Sequence, residues 1–374
     1  MFITKQIPLL TDSYDILRLP PLRAVLRIAL LLLFVGHATV CSAQTAMTWI
    51  GAPRAAGATQ VWFRRCFERV GEVDEAIATV ATTGHVRLYV NGRLVNPAPL
   101  AVTRGEGDGS VVAMRYDVSA YVVRPDSLEL ALWWAAPDGA KAADCGARCS
   151  RNTCLPTADS GAKVALRLWC RDVKGRVSVF DSDSTWMCRP SAVQFNAAGG
   201  ESIDGTQWHT SWSYGETDWA RWSGAAELSA PPVGAAGLPC GYEPLLPDDH
   251  LRNEGASRGG VVAAASAQGG VSAVECRVAK VLTPTDISTD GDRLVCRFDR
   301  PFVGFLRVTL RDAVVGETVS AGNMRYVCRG TLDEQMQGRF SLSMWDEAVI
   351  TGDRRFRPSQ VQRVEGLVVE RCEW

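Results

Sequence analysis

Lysine and histidine are scarce in this sequence. Of its 40 basic residues only Lys5, Lys141, Lys163, Lys174 and Lys280 are lysine, and the chain holds just four histidines, at 37, 85, 209 and 250. None of these imidazoles sits in a recognisable serine, cysteine or metal motif, which leaves little room for a histidine-based nucleophilic site or a zinc centre. No glycine-rich loop joins a strand to a helix, so a phosphate cradle of that kind is excluded. Acids and bases nearly cancel, at 41 against 40, and a nucleic-acid binder would carry a basic stripe instead. No long stretch keeps a helical period. The arginine excess is read as a genome-composition effect, although guanidinium also suits bidentate polar recognition better than ammonium does.

What is present is apolar residues in strand-like patterns. Nearly half of the 374 residues are apolar, 47%, enough to bury real cores. Val86 to Val95 alternates and turns at Asn91-Gly92, the best short hairpin signal a sequence offers. Leu128, Leu130 and Leu132 alternate with Glu129 and Ala131 as in a half-buried strand. Val164–Trp169 and Arg176–Phe180 flank Asp172-Val173-Lys174-Gly175 as a second hairpin, with Val177 and Val179 on one face. Further strands are expected at Leu294–Phe298 and Phe305–Leu310. Strands at this spacing, with Gly- and Pro-rich turns, predict an all-β fold, a galactose-binding-like jelly roll followed by a second β-sandwich. The expected domains are 47–225 and 271–374, joined by a linker and loops over 226–270 that are rich in Ala, Gly, Ser and Pro.

The first 43 residues read as a signal peptide. Arg18, Arg23 and Arg27 precede an apolar run from Ile28 to Val35, which is too short to span a bilayer, and Cys41-Ser42-Ala43 offers a cleavage site near Ala43. A secreted or periplasmic product is expected, with no membrane span. Twelve cysteines are present; removing Cys41 leaves an odd number, which cannot all pair internally. Cys145, Cys149 and Cys154 suggest a local loop disulfide, with a metal reading disfavoured because no histidine is near. Cys170 and Cys188 are candidates to face each other across the second hairpin. No metal or cofactor is expected.

The richest stretch for chemistry runs from Gly199 to Trp222. Trp208, Trp212, Tyr214, Trp219 and Trp222 are interleaved with Glu201, Asp204, His209, Glu216 and Asp218. Aromatic faces cover the C–H face of a sugar while carboxylates bond its hydroxyls. The candidate carbohydrate-binding set is therefore Trp208, Trp212, Tyr214, Trp219, Trp222, Asp204, Glu216 and Asp218. The competing reading is an aromatic loop that packs one domain against the next. Glycoside hydrolysis needs two carboxylates across the scissile bond. Glu216 with Asp218, or Asp333 with Glu334, are close in sequence, but immediate neighbours on a strand point to opposite faces. No catalytic residue is assigned.

Two groups of motifs resemble a known family. The first is Val61-Trp62-Phe63-Arg64-Arg65-Cys66-Phe67-Glu68, Val86-Arg87-Leu88-Tyr89-Val90-Asn91-Gly92, Tyr116-Asp117-Val118-Ser119-Ala120-Tyr121-Val122, Asp183-Ser184-Thr185-Trp186 and Gly200-Glu201-Ser202-Ile203-Asp204. In this order they resemble the N-terminal galactose-binding-like domain of bacterial α-L-rhamnosidases. The second is Phe298 to Val308, Tyr326-Val327-Cys328, Gly330, Leu332-Asp333-Glu334-Gln335, Arg339-Phe340 and Val364-Glu365-Gly366-Leu367. It is similar to the β-sandwich preceding the catalytic barrel in the same family, especially its Bacteroidetes-type members. The chain departs from the family at Phe298-Asp299-Arg300-Pro301, where an acidic-aromatic-Gly-Gln-Asn run is frequent. The resemblance implies a general acid and base in an (α/α)6 barrel that would begin about where this sequence stops at Trp374. It therefore implies a secreted, non-catalytic carbohydrate-binding or accessory protein. The partners it implies are a plant or microbial glycan, rhamnose-containing glycans among them, and a separate catalytic barrel chain. A fragment or piece of a split α-L-rhamnosidase, or a structural surface protein, are the alternatives.

Overall fold

The computed structural model describes residues 47–373 apart from 56, 69–70, 96–99, 102–112, 125, 137–160, 210, 230–260 and 265–273. The signal segment, its cleavage site near Ala43, the Cys145, Cys149 and Cys154 cluster and most of the 226–270 stretch lie outside the described residues. The described chain is all-β, with short 3-10 turns between strands, and residues 46–374 form one compact unit.

The strands before the low-complexity stretch are β1 (Trp49–Gly51), β2 (Gln60–Glu68), β3 (Val73–Thr82), β4 (His85–Val90), β5 (Arg93–Leu94), β6 (Leu100–Ala101), β7 (Met114–Asp117), β8 (Ser127–Ala135), β9 (Lys163–Asp172), β10 (Val177–Asp181), β11 (Met187–Pro190), β12 (Val193–Phe195), β13 (Glu201–Asp204), β14 (Ser223–Gly224) and β15 (Ala226–Glu227). A four-residue strand, β16 (Val261–Ala264), lies inside the small-residue stretch. The rest are β17 (Val274–Leu282), β18 (Asp286–Asp290), β19 (Arg293–Arg311), β20 (Thr318–Ala321), β21 (Met324–Val327), β22 (Asp333–Gln337), β23 (Ser343–Gly352) and β24 (Val361–Glu373).

Among the described residues three sheets result. The first runs β15-β1-β9-β3-β7-β16 with β10 beside β9, and the second β14-β11-β2-β8-β4-β5. The third runs β12-β13-β21-β20-β23-β19-β24-β17-β6, with β18 and β22 on β19. Both predicted hairpins are present. Val90 faces Arg93 across the Asn91-Gly92 turn, whose φ values of 49° and 76° are those of a two-residue hairpin turn. Strand β10 returns along β9, and Val177 and Val179 share one face, which is solvent-exposed.

Three expectations change. Strand β8 is buried on both faces rather than half-buried. Leu128, Leu130, Leu132 and Trp134 face a core shared with Ile50, Val80, Leu166 and Leu168 of the first sheet. Ala131 and Trp133 face a second core with Trp62, Val193, Ile203, Leu306, Val308 and Phe340. The second sheet is thus covered on both sides. The strands expected at Leu294–Phe298 and Phe305–Leu310 are one strand, β19, whose register to β23 breaks between Arg297 and Phe302. Pro301 lies in that break, where its missing N–H leaves no ladder bond unmade. Finally, Cys170 and Cys188 are both free thiols. Cys170 sits opposite Ser178 on β10, whereas Cys188 belongs to β11 in the other sheet, so the hairpin does not bring them together.

Strands β12 and β13 precede the low-complexity stretch yet belong to the third sheet, where β13 runs parallel to β21 with Ile203 beside Tyr326. This places the segment after β13 at the junction of the two halves.

Candidate functional site

The segment from Asp204 to Trp222 lies over the outer face of the second sheet. Trp212 is only 4% exposed and stacks on Trp62 with ring centres 4.8 Å apart and planes 11° from parallel. Tyr89 meets it edge-on at 4.8 Å, and Trp133 at 5.8 Å. Trp222 is 7% exposed, with the Arg189 guanidinium 5.9 Å from its ring. These two tryptophans pack; their faces are taken by protein. Tyr214 is half-buried, under the Arg124 guanidinium at 5.4 Å. Trp219 is 41% exposed and carries the Arg64 guanidinium at 5.2 Å. Trp208 is half-buried, edge-on to Trp62 at 5.8 Å and to Trp133 at 5.6 Å.

A buried ion pair pins this segment. Arg64 on β2 pairs with Glu129 on β8, both nearly inaccessible. Arg64 also donates to the carbonyls of Ser211 and Gly215, while the Gly215 N–H donates to Glu129 at 3.1 Å. The loop thus meets most of the pair's remaining hydrogen-bonding capacity, with the Arg64 Nε left over, and a buried pair depends on such partners.

The acidic members of the predicted set are divided. Asp204 accepts from the Thr206 N–H at 3.0 Å and hydroxyl at 2.6 Å, and Asp218 accepts from the Ala220 N–H at 3.1 Å and pairs with Arg221. Both cap one-turn 3-10 helices, a local role that short acidic side chains fill well. Glu216 is exposed. Asp333 and Glu334 point opposite ways, as their strand predicts: Asp333 pairs with Arg311 at 2.9 Å on the surface, and Glu334 is buried. Glu334 accepts from the Tyr326 hydroxyl and the N–H groups of Arg329, Gly330 and Thr331, all within 2.9 Å. Burial, then this carboxylate, hold the Tyr326 hydroxyl well above its ordinary pKa. His209 is half-buried with Nε2 unpartnered, and burial followed by the nearby Arg189 and Arg221 lowers its pKa.

Two clefts flank β13. The smaller, about 170 Å3, is lined by Trp208, Tyr326, Arg329, Gln335, Gln337 and Arg339 among others. The larger, about 560 Å3, takes in Arg189, Gln194, Asp204, Gln207, Arg221 and Arg325. Gly205 in the wall of the first leaves no room for a side chain, because a Cβ there would lie 2.7 Å from the Tyr326 hydroxyl. The structure brings Trp208 to one cleft and Asp204 to the other, with Trp219, Glu216 and Asp218 on the open surface; it does not gather the predicted set into one site. Arg339, Gln335 and Gln337 carry no binding-site signal of their own in the sequence. Arg339 and Trp208 are far apart in the chain, one in the turn after β22 and the other in the turn after β13. Among the described residues no group of His, Cys, Asp and Glu has the geometry of a metal site.

The fold and cleft define an all-β, multi-sandwich module with an aromatic junction. Residues 71–236 match the family model for the alpha-L-rhamnosidase N-terminal domain. The α-L-rhamnosidase from Dictyoglumus thermophilum shares 16% identity at a TM-score of 0.63, over 87% of this chain and 35% of its own. That from Aspergillus terreus shares 14% at 0.66, over 87% and 36%. The Streptomyces avermitilis α-L-rhamnosidase, solved with L-rhamnose, shares 18% at 0.61, over 84% and 29%. At these identities the solved structures establish the fold, and the chain spans about a third of their length. No curated protein sequence matches the chain. The chain thus resembles the N-terminal β-sandwich region of α-L-rhamnosidases, as its motifs imply.

Proposed function

We propose that this chain is a secreted, non-catalytic carbohydrate-binding or accessory module of the α-L-rhamnosidase type. The observation that carries this reading is the cleft beside Trp208, where one aromatic ring is left half-open next to amide and guanidinium groups. That combination suits a sugar ring, whose C–H face covers the aromatic while its hydroxyls bond the polar groups. The exposed Trp219, with Glu216 and Asp218 close by in sequence, is the second place a glycan would rest. Trp212, Trp222 and Tyr214 support such a site from beneath by fixing the segment on the second sheet. Secretion rests on the N-terminal basic and apolar pattern; among the described residues no helix is long and apolar enough to cross a membrane.

A second reading has its own support. Because the chain spans about a third of the rhamnosidases it resembles, it would act as the front of a glycoside hydrolase whose catalytic barrel lies on another stretch of chain. One purified sample tests both readings, by a glycan array and by an activity screen on aryl rhamnosides. Binding without hydrolysis is expected. Hydrolysis by this chain would overturn the non-catalytic reading, and folded protein that binds no glycan would overturn the carbohydrate one.

A further inference from the structure

Arg339 lines the smaller cleft with its guanidinium 5.5 Å from the Trp208 ring and 5.9 Å from Trp133. Its main chain is fully engaged: the N–H donates to Glu201 and the carbonyl accepts from Arg87 at 2.8 Å. Its side chain makes no hydrogen bond or ion pair with any described residue. Burial, followed by the Arg87 charge, pushes the Arg339 pKa down. Arg339 is half-buried, and a guanidinium partly withdrawn from water with no acid on it gains from an anionic partner. The acids nearby are committed elsewhere. Glu201 accepts from Gln60 and from the Arg339 and Phe340 N–H groups, Glu334 holds the 329–331 turn, and Asp333 is taken by Arg311. A second guanidinium, Arg329, lines the same cleft, with one side-chain bond to Thr331. The side chains of Gln335 and Gln337, also at the wall, have no partner among the described residues.

We infer that this cleft binds a carboxylate-bearing sugar, a hexuronic acid residue, with the carboxylate on Arg339 and Arg329, the ring against Trp208 and the hydroxyls on Gln335 and Gln337. The inference rests on the carbohydrate reading above and narrows its ligand class. A planar fork of N–H donors matches a carboxylate better than a hydroxyl. A volume of about 170 Å3, below the several hundred Å3 of a drug-sized pocket, fits one ring rather than an oligosaccharide.

The test is calorimetric titration of the full chain with D-glucuronate and D-galacturonate against D-glucose, D-galactose and L-rhamnose, at low and at high salt. The uronates should bind roughly tenfold or more tightly than the neutral sugars, as expected for a charge-assisted pair, and added salt should erode that preference. R339Q should abolish the preference, and R329Q should reduce it. Arg329 lines the same cleft from the turn after β21, so the second variant stands in if the first fails to fold. Equal binding of neutral sugars and uronates overturns this inference while leaving the carbohydrate reading in place. Retained preference in a folded R339Q also overturns it. Binding of no sugar in either class overturns both.

Discussion

At Glu201 a carboxylate cut off from solvent accepts hydrogen bonds from Gln60 at 2.8 Å, from the Phe340 N–H at 3.1 Å and from the Arg339 N–H. Gln60 in turn accepts from the Trp133 indole at 3.0 Å. Glu201→Ala would orphan two main-chain donors and one amide, and at roughly 1–3 kcal/mol for each unsatisfied buried group we expect a loss of about 3 kcal/mol or more in urea unfolding. Burial raises the Glu201 pKa against the lowering effect of these donors. The unfolded chain therefore releases this proton first, and the residue's contribution to stability falls as pH rises from the ordinary glutamate range through its raised value. Melting curves of wild type and Glu201→Gln across acid pH should converge in that direction; a wild-type advantage that grows with pH would contradict the assignment. The thiols behave differently. Burial pushes Cys170 and Cys328 up to about 12 and Cys296 to about 11, so almost no thiolate forms near neutrality. Among the described cysteines, native alkylation followed by mass spectrometry should label exposed Cys66 and spare Cys170, Cys188, Cys296 and Cys328 until the protein is unfolded. The residues legible in the sequence are those with local logic, such as Asn91. Its amide oxygen accepts the Glu129 N–H and its nitrogen donates to the Tyr121 carbonyl, tying the turn to its neighbours. Arg339 gives no local signal, because its neighbours Trp208 and Trp133 come from distant parts of the chain.

At the scale of elements, the Asn91-Gly92 hairpin meets the aromatic segment directly. Gly92 has φ of 76°, and a Cβ there would lie 2.7 Å from Tyr214 Cβ. Gly92→Ala therefore combines backbone strain with overpacking and should cost about 1–3 kcal/mol, read as a lowered urea midpoint. Arg64→Ala leaves Glu129 buried without its partner and frees the loop carbonyls of Ser211 and Gly215. It should cost about 3–5 kcal/mol and raise the fluorescence accessibility of Trp219 to a quencher. Hairpins are legible because their pairing is short-range and their turn residues are diagnostic. The two-sided burial of β8 is written only in part: the apolar run from Leu130 to Ala135 is visible, but Glu129 makes the strand look half-exposed because its partner Arg64 lies on another strand. The parallel pairing of β13 with β21 has no sequence signature, since parallel partners are specified by what buries their faces rather than by a turn.

For the whole molecule, aromatic rings join the halves. Trp133 of the second sheet contacts Phe340 of the second half edge-on at 5.4 Å, and His85 stacks on the same ring at 6.4 Å. One core runs from Trp62 through Trp212 to Leu306 and Val308. The all-β class follows from strand spacing, but the sharing of this core does not, because the tryptophans look equally able to serve as an open platform. The segment divides into two parts: Trp212 and Trp222 pack onto the second sheet, and Trp208 faces the cleft. The most direct measurement of that division is a sugar titration of the full chain followed through the tryptophan indole N–H signals in NMR, with Trp208→Phe, Trp212→Phe and Trp222→Phe used for assignment. The Trp208 signal should shift saturably with added glycan while those of Trp212 and Trp222 stay fixed. A saturable shift at Trp212 or Trp222 with Trp208 unmoved would contradict it.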